Sequence, residues 1–411
     1  MENVKYLILG AGPAGLSFAH RLKEKGEESF LLLEKENEAG GLCRSVMVDE
    51  SPFDVGGGHF LDVKRPKVTE FLFRFMEREE WNLFTRDSRI AVGGAVVGHP
   101  MEANIWQFGI EEQIAYLSSI ARAGCNSGRK MPDKFTDWIV WKLGEKIAED
   151  YMLPYNQKMF GEDLDMLGTY WLEKLPDVSF EETLRSCLMR EPYGTQPGHA
   201  RFYYPKHYGY GEVWLRMAQA LAPRVCYGAD IKEIDFDTRR VRTKSGEHFQ
   251  GDKIITTIPW MEFEEIKGMP WELVSAVMKL KTNAVETRYR GENLDTPAQW
   301  IYLPDPQIPC HRILVRHNFF KGSRGYWTET RLERVEMFPA QDEHYRYVNP
   351  YAYPINTVDK PKIMKHLLAF GETRKVYGLG RWGEHCHYNS DVVVERAMDL
   401  AEKIGWMDLG E

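Results

Sequence analysis

The chain has 411 residues, and its 53 lysines and arginines against 61 aspartates and glutamates give a net charge of −8. This length predicts two or three domains that share substantial cores. The acidic balance argues against nonspecific binding of nucleic acid, and no segment reaches the roughly 18 apolar residues of a membrane span.

The cysteines carry no recognisable pairing pattern. None of them forms a CxxC motif, so we expect reduced thiols and a cytoplasmic location. Because the first motif begins within ten residues of the start, we also expect no cleavable signal peptide before it. The six residues are Cys43, Cys125, Cys187, Cys226, Cys310 and Cys386.

The first recognisable motif lies near the start of the chain. An apolar run at residues 6–9 precedes Gly10-Ala11-Gly12-Pro13-Ala14-Gly15, and helical apolar spacing follows. A second apolar run at residues 30–33 ends in Glu34. The order strand, glycine turn, helix, strand and acid predicts a nucleotide-binding βαβ unit.

Each residue of this motif has a physical reason. Gly10 permits the tight turn, and Gly12 lets the backbone approach a pyrophosphate at a helix N-terminus. Gly15 allows the helix to pack closely on the strand. Glu34 is expected to accept hydrogen bonds from a ribose diol.

Two further glycine clusters follow. Gly40-Gly41-Leu42-Cys43-Arg44 is either part of the nucleotide site or an ordinary loop. Gly56-Gly57-Gly58 precedes His59, and three adjacent glycines predict that the backbone approaches something bulky and flat.

The next part of the chain favours helices. Apolar spacing of three and four dominates residues 65 to about 190, with a small β-hairpin around Gly93-Gly94. Strand and helix patterns then alternate from about residue 200, and a helix is predicted from Val393 to Ile404.

These patterns predict an α/β protein in which a discontinuous Rossmann-like domain carries two inserts. The nucleotide-binding domain would comprise residues 1–65, 200–270 and 360–411. Residues 66–199 would form a mainly helical insert, and residues 271–359 an antiparallel β-sheet domain for the substrate. Both inserts would face the cofactor.

Together these residues resemble the flavoprotein group that includes amine oxidases, protoporphyrinogen oxidase and UDP-galactopyranose mutase. The shared features include Gly40-Gly41-x-x-Arg44 and a late Gly380-Arg381 before a terminal helix. The resemblance implies FAD rather than NAD, with Arg44 and Arg381 near the diphosphate or the ring. The cofactor-binding residues that it implies are Gly10, Gly12, Pro13, Ala14, Gly15, Glu34, Lys35, Gly41, Leu42, Arg44, Gly57, Gly58, Ile231, Gly380, Arg381, Ser390, Asp391 and Val392.

Within this group the running match is to UDP-galactopyranose mutase. It rests on short strings in the same order, among them Gly57-Gly58-His59, the segments at residues 99–104, 155–161 and 308–313, and Tyr353-Pro354-Ile355. The resemblance implies catalytic roles for Arg312, which would grip the substrate diphosphate, and for His59 beside the flavin. The substrate-binding residues that it implies are Tyr155, Phe160, Lys174, Asn104, Tyr353, His385 and His387.

The departures from that family concern the substrate. Thr330, His385 and His387 stand where we align tyrosines around the phosphates. A second family arginine falls on Val178, with Lys174 and Arg185 nearby as substitutes, and Phe160 replaces a tryptophan. The sugar and the nucleotide therefore stay open.

For several residues, a purely structural role also stays open. Tyr155 and Phe160 would sandwich a base or pack in a core, and Lys158 would neutralise phosphate or be solvated. His59 would donate to a ring heteroatom, shape the bend of the flavin, or be a satisfied buried histidine. His385 and His387 flank Cys386 without a carboxylate cluster, so we expect no metal.

The resemblance implies a nucleotide-sugar mutase that interconverts pyranose and furanose forms, with N5 of reduced FAD as the nucleophile. It would act on a small nucleotide sugar, and a homodimer stays open. The alternatives are an FAD-dependent oxidoreductase of the amine oxidase or protoporphyrinogen oxidase type, and a flavin-binding protein without activity. Oxidases of the amine type often carry a lysine beside N5, and the sequence does not assign one.

Overall fold

The computed structural model describes residues 3–172, 178–193, 200–337 and 345–408, with side chains up to residue 404. Its strands are β1 (Asn3–Leu9), β2 (Phe30–Leu33), β3 (Ser45–Val48), β4 (Ser51–Asp54), β5 (Leu61–Asp62), β6 (Trp81–Thr85), β7 (Ser88–Val92), β8 (Ala95–Gly98), β9 (Arg201–Pro205), β10 (Val225–Cys226), β11 (Ile231–Asp235), β12 (Arg240–Thr243), β13 (His248–Thr256), β14 (Glu265–Lys267), β15 (Thr282–Arg290), β16 (Trp300–Tyr302), β17 (Arg312–Val315), β18 (Tyr326–Arg331), β19 (Tyr345–Pro354) and β20 (Val376–Gly378).

Helices connect and cover these strands. They are α1 (Pro13–Glu24), α2 (Pro66–Phe73), α3 (Ile110–Ala121), α4 (Phe135–Ile147), α5 (Leu153–Phe160), α6 (Phe180–Met189), α7 (Gly211–Gln219), α8 (Trp271–Val277), α9 (Lys360–Thr373), α10 (Gly380–Gly383) and α11 (Ser390–Asp408). A π-helical turn joins α4 to α5. Within the described ranges, we find no helix that is long and apolar enough to cross a membrane.

The first sheet is assembled from distant parts of the chain. Its order is β10-β2-β1-β13-β12-β11-β14, with β20 also paired to β13. The pairs of β1 with β2 and β13, and of β13 with β20, are parallel. The residues of β1 from Tyr6 to Leu9 are buried on both faces, which is typical of a parallel sheet covered by helices.

The second sheet has the order β19-β15-β18-β17-β16-β7-β8. All of its pairs are antiparallel except that of β16 with β7. The hairpin β7–β8 belongs to this sheet, although its sequence position groups it with the helical insert. Ser88, Ile90 and Val92 are buried at alternate positions, and this pattern requires a sheet to cover one face.

The two sheets share one hydrophobic core. Tyr6 and Ile8 of the first sheet belong to the same buried cluster as Trp300, Leu314 and Trp327 of the second. The helical insert has a separate core around α3, α4 and α5. The first sheet therefore has the second sheet packed against it, and the helical insert extends beyond.

Polar contacts fasten the helical insert to the second sheet. The buried Lys158 ammonium on α5 donates to the carbonyls of Leu303 and Asp305, at 2.6 and 2.8 Å. The Asn283 side-chain amide on β15 donates to the Met159 carbonyl at 2.8 Å. Burial lowers the pKa of Lys158 to about 8.

A buried carboxyl ties several elements together beneath the cleft described below. Asp54, at the end of β4, accepts hydrogen bonds from the Ser45 hydroxyl at 2.5 Å, the Tyr204 hydroxyl at 3.0 Å and the Tyr210 backbone N–H at 3.3 Å. Burial outweighs these donors and raises the pKa of Asp54 to about 7.

This raised pKa predicts a pH-dependent stability. Between the ordinary value of 3.8 and about 7 the folded protein holds a proton that the unfolded chain releases, so stability falls as pH rises through this window. Asp54→Asn should remove this contribution. We expect the thermal midpoint to fall less between pH 5 and pH 8 in this variant than in the wild type.

The exposed carboxylate Asp252 offers a matched control, because Asp252→Asn removes a charge without a buried partner. A pH dependence in Asp54→Asn equal to that of the wild type would contradict the assignment.

Candidate functional site

A cleft opens at the carboxyl ends of β1 and β2, where β13 also ends. It contains about 1290 Å³ of empty space, including its open mouth. In parallel α/β sheets, ligands bind at this edge. The predicted cofactor residues that line it are Gly10, Gly12, Pro13, Ala14, Glu34, Lys35, Gly41, Leu42, Arg44, Ile231, Arg381 and Ser390, together with His59.

The glycine turn at the start of α1 shapes one end of the cleft. Gly10 has a φ of +100°, and a Cβ on Gly15 would overlap the Gly10 carbonyl, so the helix lies directly on the turn. A Cβ on Gly41 would lie 3.3 Å from the Gly12 Cα. Two bare backbone segments thus flank the N-terminus of α1, whose first N–H groups lack helical partners and suit a diphosphate.

Glu34 is buried beside this turn. One carboxylate oxygen accepts from the Ala11 N–H at 2.8 Å and the other from the Glu36 N–H at 3.0 Å. Burial raises the pKa of Glu34 above its ordinary value. Each oxygen keeps a further lone pair, so the carboxylate can still accept from a ribose hydroxyl.

Arg44 reaches across the cleft to the second sheet. It donates to the Gly41 carbonyl at 3.2 Å and to the Tyr347 hydroxyl at 2.8 Å, and it pairs with Glu36 at 3.3 Å. The sequence analysis did not identify Tyr347, although it lines the cleft. No local pattern around Tyr347 marks it, because its partner lies 303 positions away.

Other predicted cofactor residues contact the protein around the cleft. Gly380 has a φ of +75°, and a Cβ there would lie 2.8 Å from the Ala14 Cβ. The buried Asp391 at the start of α11 pairs with Arg65. Val392 follows it on the same helix.

Gly57 and Gly58 approach protein side chains. Gly57 has a φ of +89°, and a Cβ there would overlap Glu329 Oε1. A Cβ on Gly58 would overlap Leu314. These two glycines therefore let the loop lie on β17 and β18, and a planar group beside them stays a prediction.

His59 follows this loop and faces the cleft. Its Nδ1 lies 2.8 Å from the Gly57 carbonyl, and a carbonyl can only accept, so Nδ1 carries the proton. Burial, with Arg381 nearby, lowers the pKa of His59 to about 3. The ring is therefore neutral at physiological pH, and Nε2 offers a lone pair. Of the predicted roles, donation to a ring heteroatom does not agree with this tautomer.

Arg381 is a half-buried cation near His59. Its guanidinium donates to the carbonyls of Tyr388, at 2.9 and 3.1 Å, and of Ala352, at 3.1 Å. Among the described residues it has no carboxylate partner, and burial lowers its pKa. A guanidinium stays charged even so, and a half-buried charge without a counterion suits an anionic ligand.

Arg312 lies on β17 beside Tyr353, and it is not among the residues that line the cleft. Its Nε and Nη2 donate to Glu329 Oε2 at 3.0 and 2.5 Å, and Nη2 also donates to the Tyr353 hydroxyl at 3.2 Å. No described residue accepts from Nη1. Tyr353 connects the two cations, because the Arg381 guanidinium lies 5.9 Å from the centre of its ring. The sequence analysis did not identify Glu329.

Two more predicted substrate residues border this group. The Tyr155 ring lies 5.5 Å from that of Tyr302 and 6.2 Å from that of His311, next to Arg312. The His387 ring lies 4.8 Å from that of Tyr353. Tyr155, Tyr353 and His387 therefore gather around the Arg312 region.

The structure does not bring other predicted substrate residues to the group around Arg312. Asn104 is buried, with its amide bonded to the Pro100 carbonyl and to Gln107. Phe160 packs against Trp171, so it does not sandwich a base with Tyr155. Lys158 is occupied by two carbonyls, as described above. These side chains serve the fold around them.

The residues at the remaining departures are buried as well. His385 is inaccessible, its Nε2 lies 3.1 Å from the Lys281 carbonyl, and burial lowers its pKa to about 4. Thr330 and Val178 are also buried. Lys174 lies outside the described residues. A contact between His385 and a phosphate is thus not compatible with this structure.

Comparisons with known proteins agree with this geometry. The family model of the NAD(P)-binding Rossmann-like domain matches residues 8–75. UDP-galactopyranose mutase of Mycoplasma pneumoniae is 37% identical over 75 residues, 18% of this chain and 18% of that protein. The aligned part thus spans less than a fifth of this curated relative.

Solved structures match over nearly the whole chain. Reduced UDP-galactopyranose mutase superposes with a TM-score of 0.87 at 22% identity, covering 98% of this chain and 96% of that one. A putative protoporphyrinogen oxidase from Exiguobacterium sp. 255-15 gives 0.70 at 14% identity, covering 98% and 99%. Putrescine oxidase bound to putrescine gives 0.62 at 13%, also covering 98% and 99%.

These findings confirm the α/β fold with its Rossmann-like unit. They also confirm, at the level of the fold, the resemblance to UDP-galactopyranose mutase that the sequence motifs indicate.

The environment of His59 predicts that its imidazole does not titrate in the physiological range. With a pKa of about 3, its ring signals should stay constant from pH 8 to pH 5. Proton–carbon NMR of protein labelled at histidine Cε1 tests this, and His59→Gln identifies the resonance. A midpoint near 6.5 would contradict the buried, neutral assignment.

Proposed function

We propose that the cleft binds FAD. The support comes from the paired glycine backbones at Gly12 and Gly41, the acceptor Glu34, and the half-buried cation Arg381. The glycines and the start of α1 would bind the diphosphate, and Glu34 would accept from the ribose. The flavin ring would lie toward His59 and Arg381.

The proposed activity is that of a nucleotide-sugar mutase, which interconverts the pyranose and furanose forms of a nucleoside diphosphate sugar. One observation carries it: Arg312 and Arg381 flank Tyr353. Within the described ranges, Nη1 of Arg312 has no acceptor and Arg381 has no carboxylate partner. A leaving diphosphate needs such donors, since negative charge develops on it as the anomeric bond breaks. When bound, reduced FAD supplies N5 as the nucleophile for the anomeric carbon.

The chain's own residues orient the reactants and balance charge. Arg312 would donate from Nη1 to the diphosphate, and Tyr155 and Tyr353 would border the sugar. His59 would accept a hydrogen bond at Nε2, since its Nδ1 proton is used by the Gly57 carbonyl. Because the pKa of His59 is about 3, it would not add a positive charge beside the two guanidiniums.

The departures from the family bear on the substrate rather than on the cofactor. Val178 and Thr330 supply no charge, so Arg312 would hold the diphosphate without the second family arginine. Phe160 is buried against Trp171, and the base would need other contacts. We therefore propose a nucleotide sugar as the substrate class and leave its base and sugar to experiment. The cytoplasmic location predicted from the cysteines remains part of this proposal.

An amine oxidase activity has less support. Among the described residues that line the cleft, the one lysine is Lys35, which adjoins Glu34 at the ribose end. Lys158 is held by two carbonyls. Neither provides the lysine beside N5 that is common in such oxidases.

Turnover tests the proposal directly. The purified protein, loaded with FAD and reduced with dithionite, should convert UDP-galactofuranose or a related nucleotide sugar to the pyranose form, measured by chromatography. The oxidised protein should not, because N5 of oxidised flavin is an electrophilic imine nitrogen and becomes a nucleophilic amine only on reduction.

Reoxidation of the flavin coupled to loss of an amine would instead establish an oxidase. Failure of a panel of nucleotide sugars with reduced protein, despite bound FAD, would contradict the mutase proposal.

Arg312→Ala should lower kcat/KM by about 10²–10³-fold, because it removes a donor to the leaving group. Flavin absorbance per protein should stay unchanged. Arg346→Ala is the matched control, since Arg346 lies exposed on β19 of the same sheet. Unchanged turnover in Arg312→Ala would refute the site.

A further inference from the structure

The Arg312 guanidinium is not an isolated charge. Both of its donors toward Glu329 meet the same oxygen, Oε2. The Glu329 side chain is 1% exposed, and Arg312 holds its pKa at about 2, so the carboxylate is charged at physiological pH. Glu329 Oε1 is buried, and no described residue donates a hydrogen bond to it.

Neighbouring groups do not change this balance. His311 Nε2 lies 3.5 Å from Glu329 Oε2, and burial lowers the pKa of His311, so its ring is neutral. The Tyr353 hydroxyl is also neutral, because burial raises its pKa. The group formed by Arg312, Glu329, His311 and Tyr353 therefore has no net charge.

The backbone keeps the carboxylate in this position. A Cβ on Gly57 would overlap Glu329 Oε1, so the loop that leads to His59 lies directly on the carboxylate. The next residue of the loop, Gly58, packs against Leu314 of β17, because a Cβ on Gly58 would overlap the Leu314 side chain. The loop therefore packs on the side of Glu329 opposite the oxygen that meets Arg312 and opposes a rotation of the carboxylate toward the loop.

We propose that Glu329 lowers the affinity of Arg312 for a diphosphate, so that the anion is oriented by Arg312 but can dissociate. This inference rests on the proposed function, since it assumes that Arg312 binds the anion. An anion at Nη1 is attracted by Arg312 and repelled by the carboxylate behind it. At an effective dielectric constant of about 20, one such charge changes an affinity by roughly tenfold or more.

The direction of this effect distinguishes it from a structural role. If the carboxylate only held Arg312 in place, its removal would weaken anion binding. If the carboxylate offsets the charge of Arg312, its replacement by an isosteric amide strengthens anion binding. Glu329→Gln keeps an oxygen for Arg312 and removes the charge.

The test is calorimetric titration of the purified full-length protein with inorganic pyrophosphate. We expect Glu329→Gln to bind pyrophosphate about tenfold or more tightly than the wild type. Arg312→Gln combined with Glu329→Gln should lose this gain. Glu286→Gln is the matched control, because Glu286 is a buried carboxylate paired with Arg288 on β15 of the same sheet, and it should leave the affinity unchanged.

Equal or weaker binding in Glu329→Gln, no binding in either protein, or a gain that survives in the double variant would overturn the inference. If Glu329→Gln does not fold, Glu329→Ser removes the charge and leaves room for a water, and the same gain is expected. Turnover is measured separately. A gain in pyrophosphate affinity without any mutase turnover in the wild type would support the inference while the proposed function fails.

Discussion

The close seating of α1 on β1 determines where the cleft opens. Because a side chain on Gly15 would overlap the Gly10 carbonyl, the helix can begin only where the first strand ends. Its unpaired N–H groups then point along the edge at which the parallel strands stop. Glu34 and Arg381 come to this edge because β2 and β20 end there too.

The cofactor half of the cleft could be predicted from the sequence because its signals are local. Gly10, Gly12 and Glu34 lie within 25 consecutive residues, and their order alone specifies a strand, a turn and a helix. Tyr347 and Glu329 gave no such signal. Each acquires its role from a partner that only the paired strands bring near, namely Arg44 and Arg312.

Similarity of short strings was a weaker guide on the substrate side. The string around Asn104 folds into a turn whose own carbonyls use the amide, and His385 turns into the protein interior. Gly57 and Gly58 were noticed for a sound reason, close backbone approach, but what they approach is the second sheet. A string of this kind reports the path of the backbone more reliably than the destination of its side chains.

The attachment of α5 to the second sheet constrains how the protein could open. The Lys158 ammonium is held by two carbonyls and Asn283 is bonded to Met159, so these hydrogen bonds fasten α5 to that sheet. An open form of the protein that preserved them would carry α5 along with the second sheet and keep Tyr155 and Arg312 at their mutual distance.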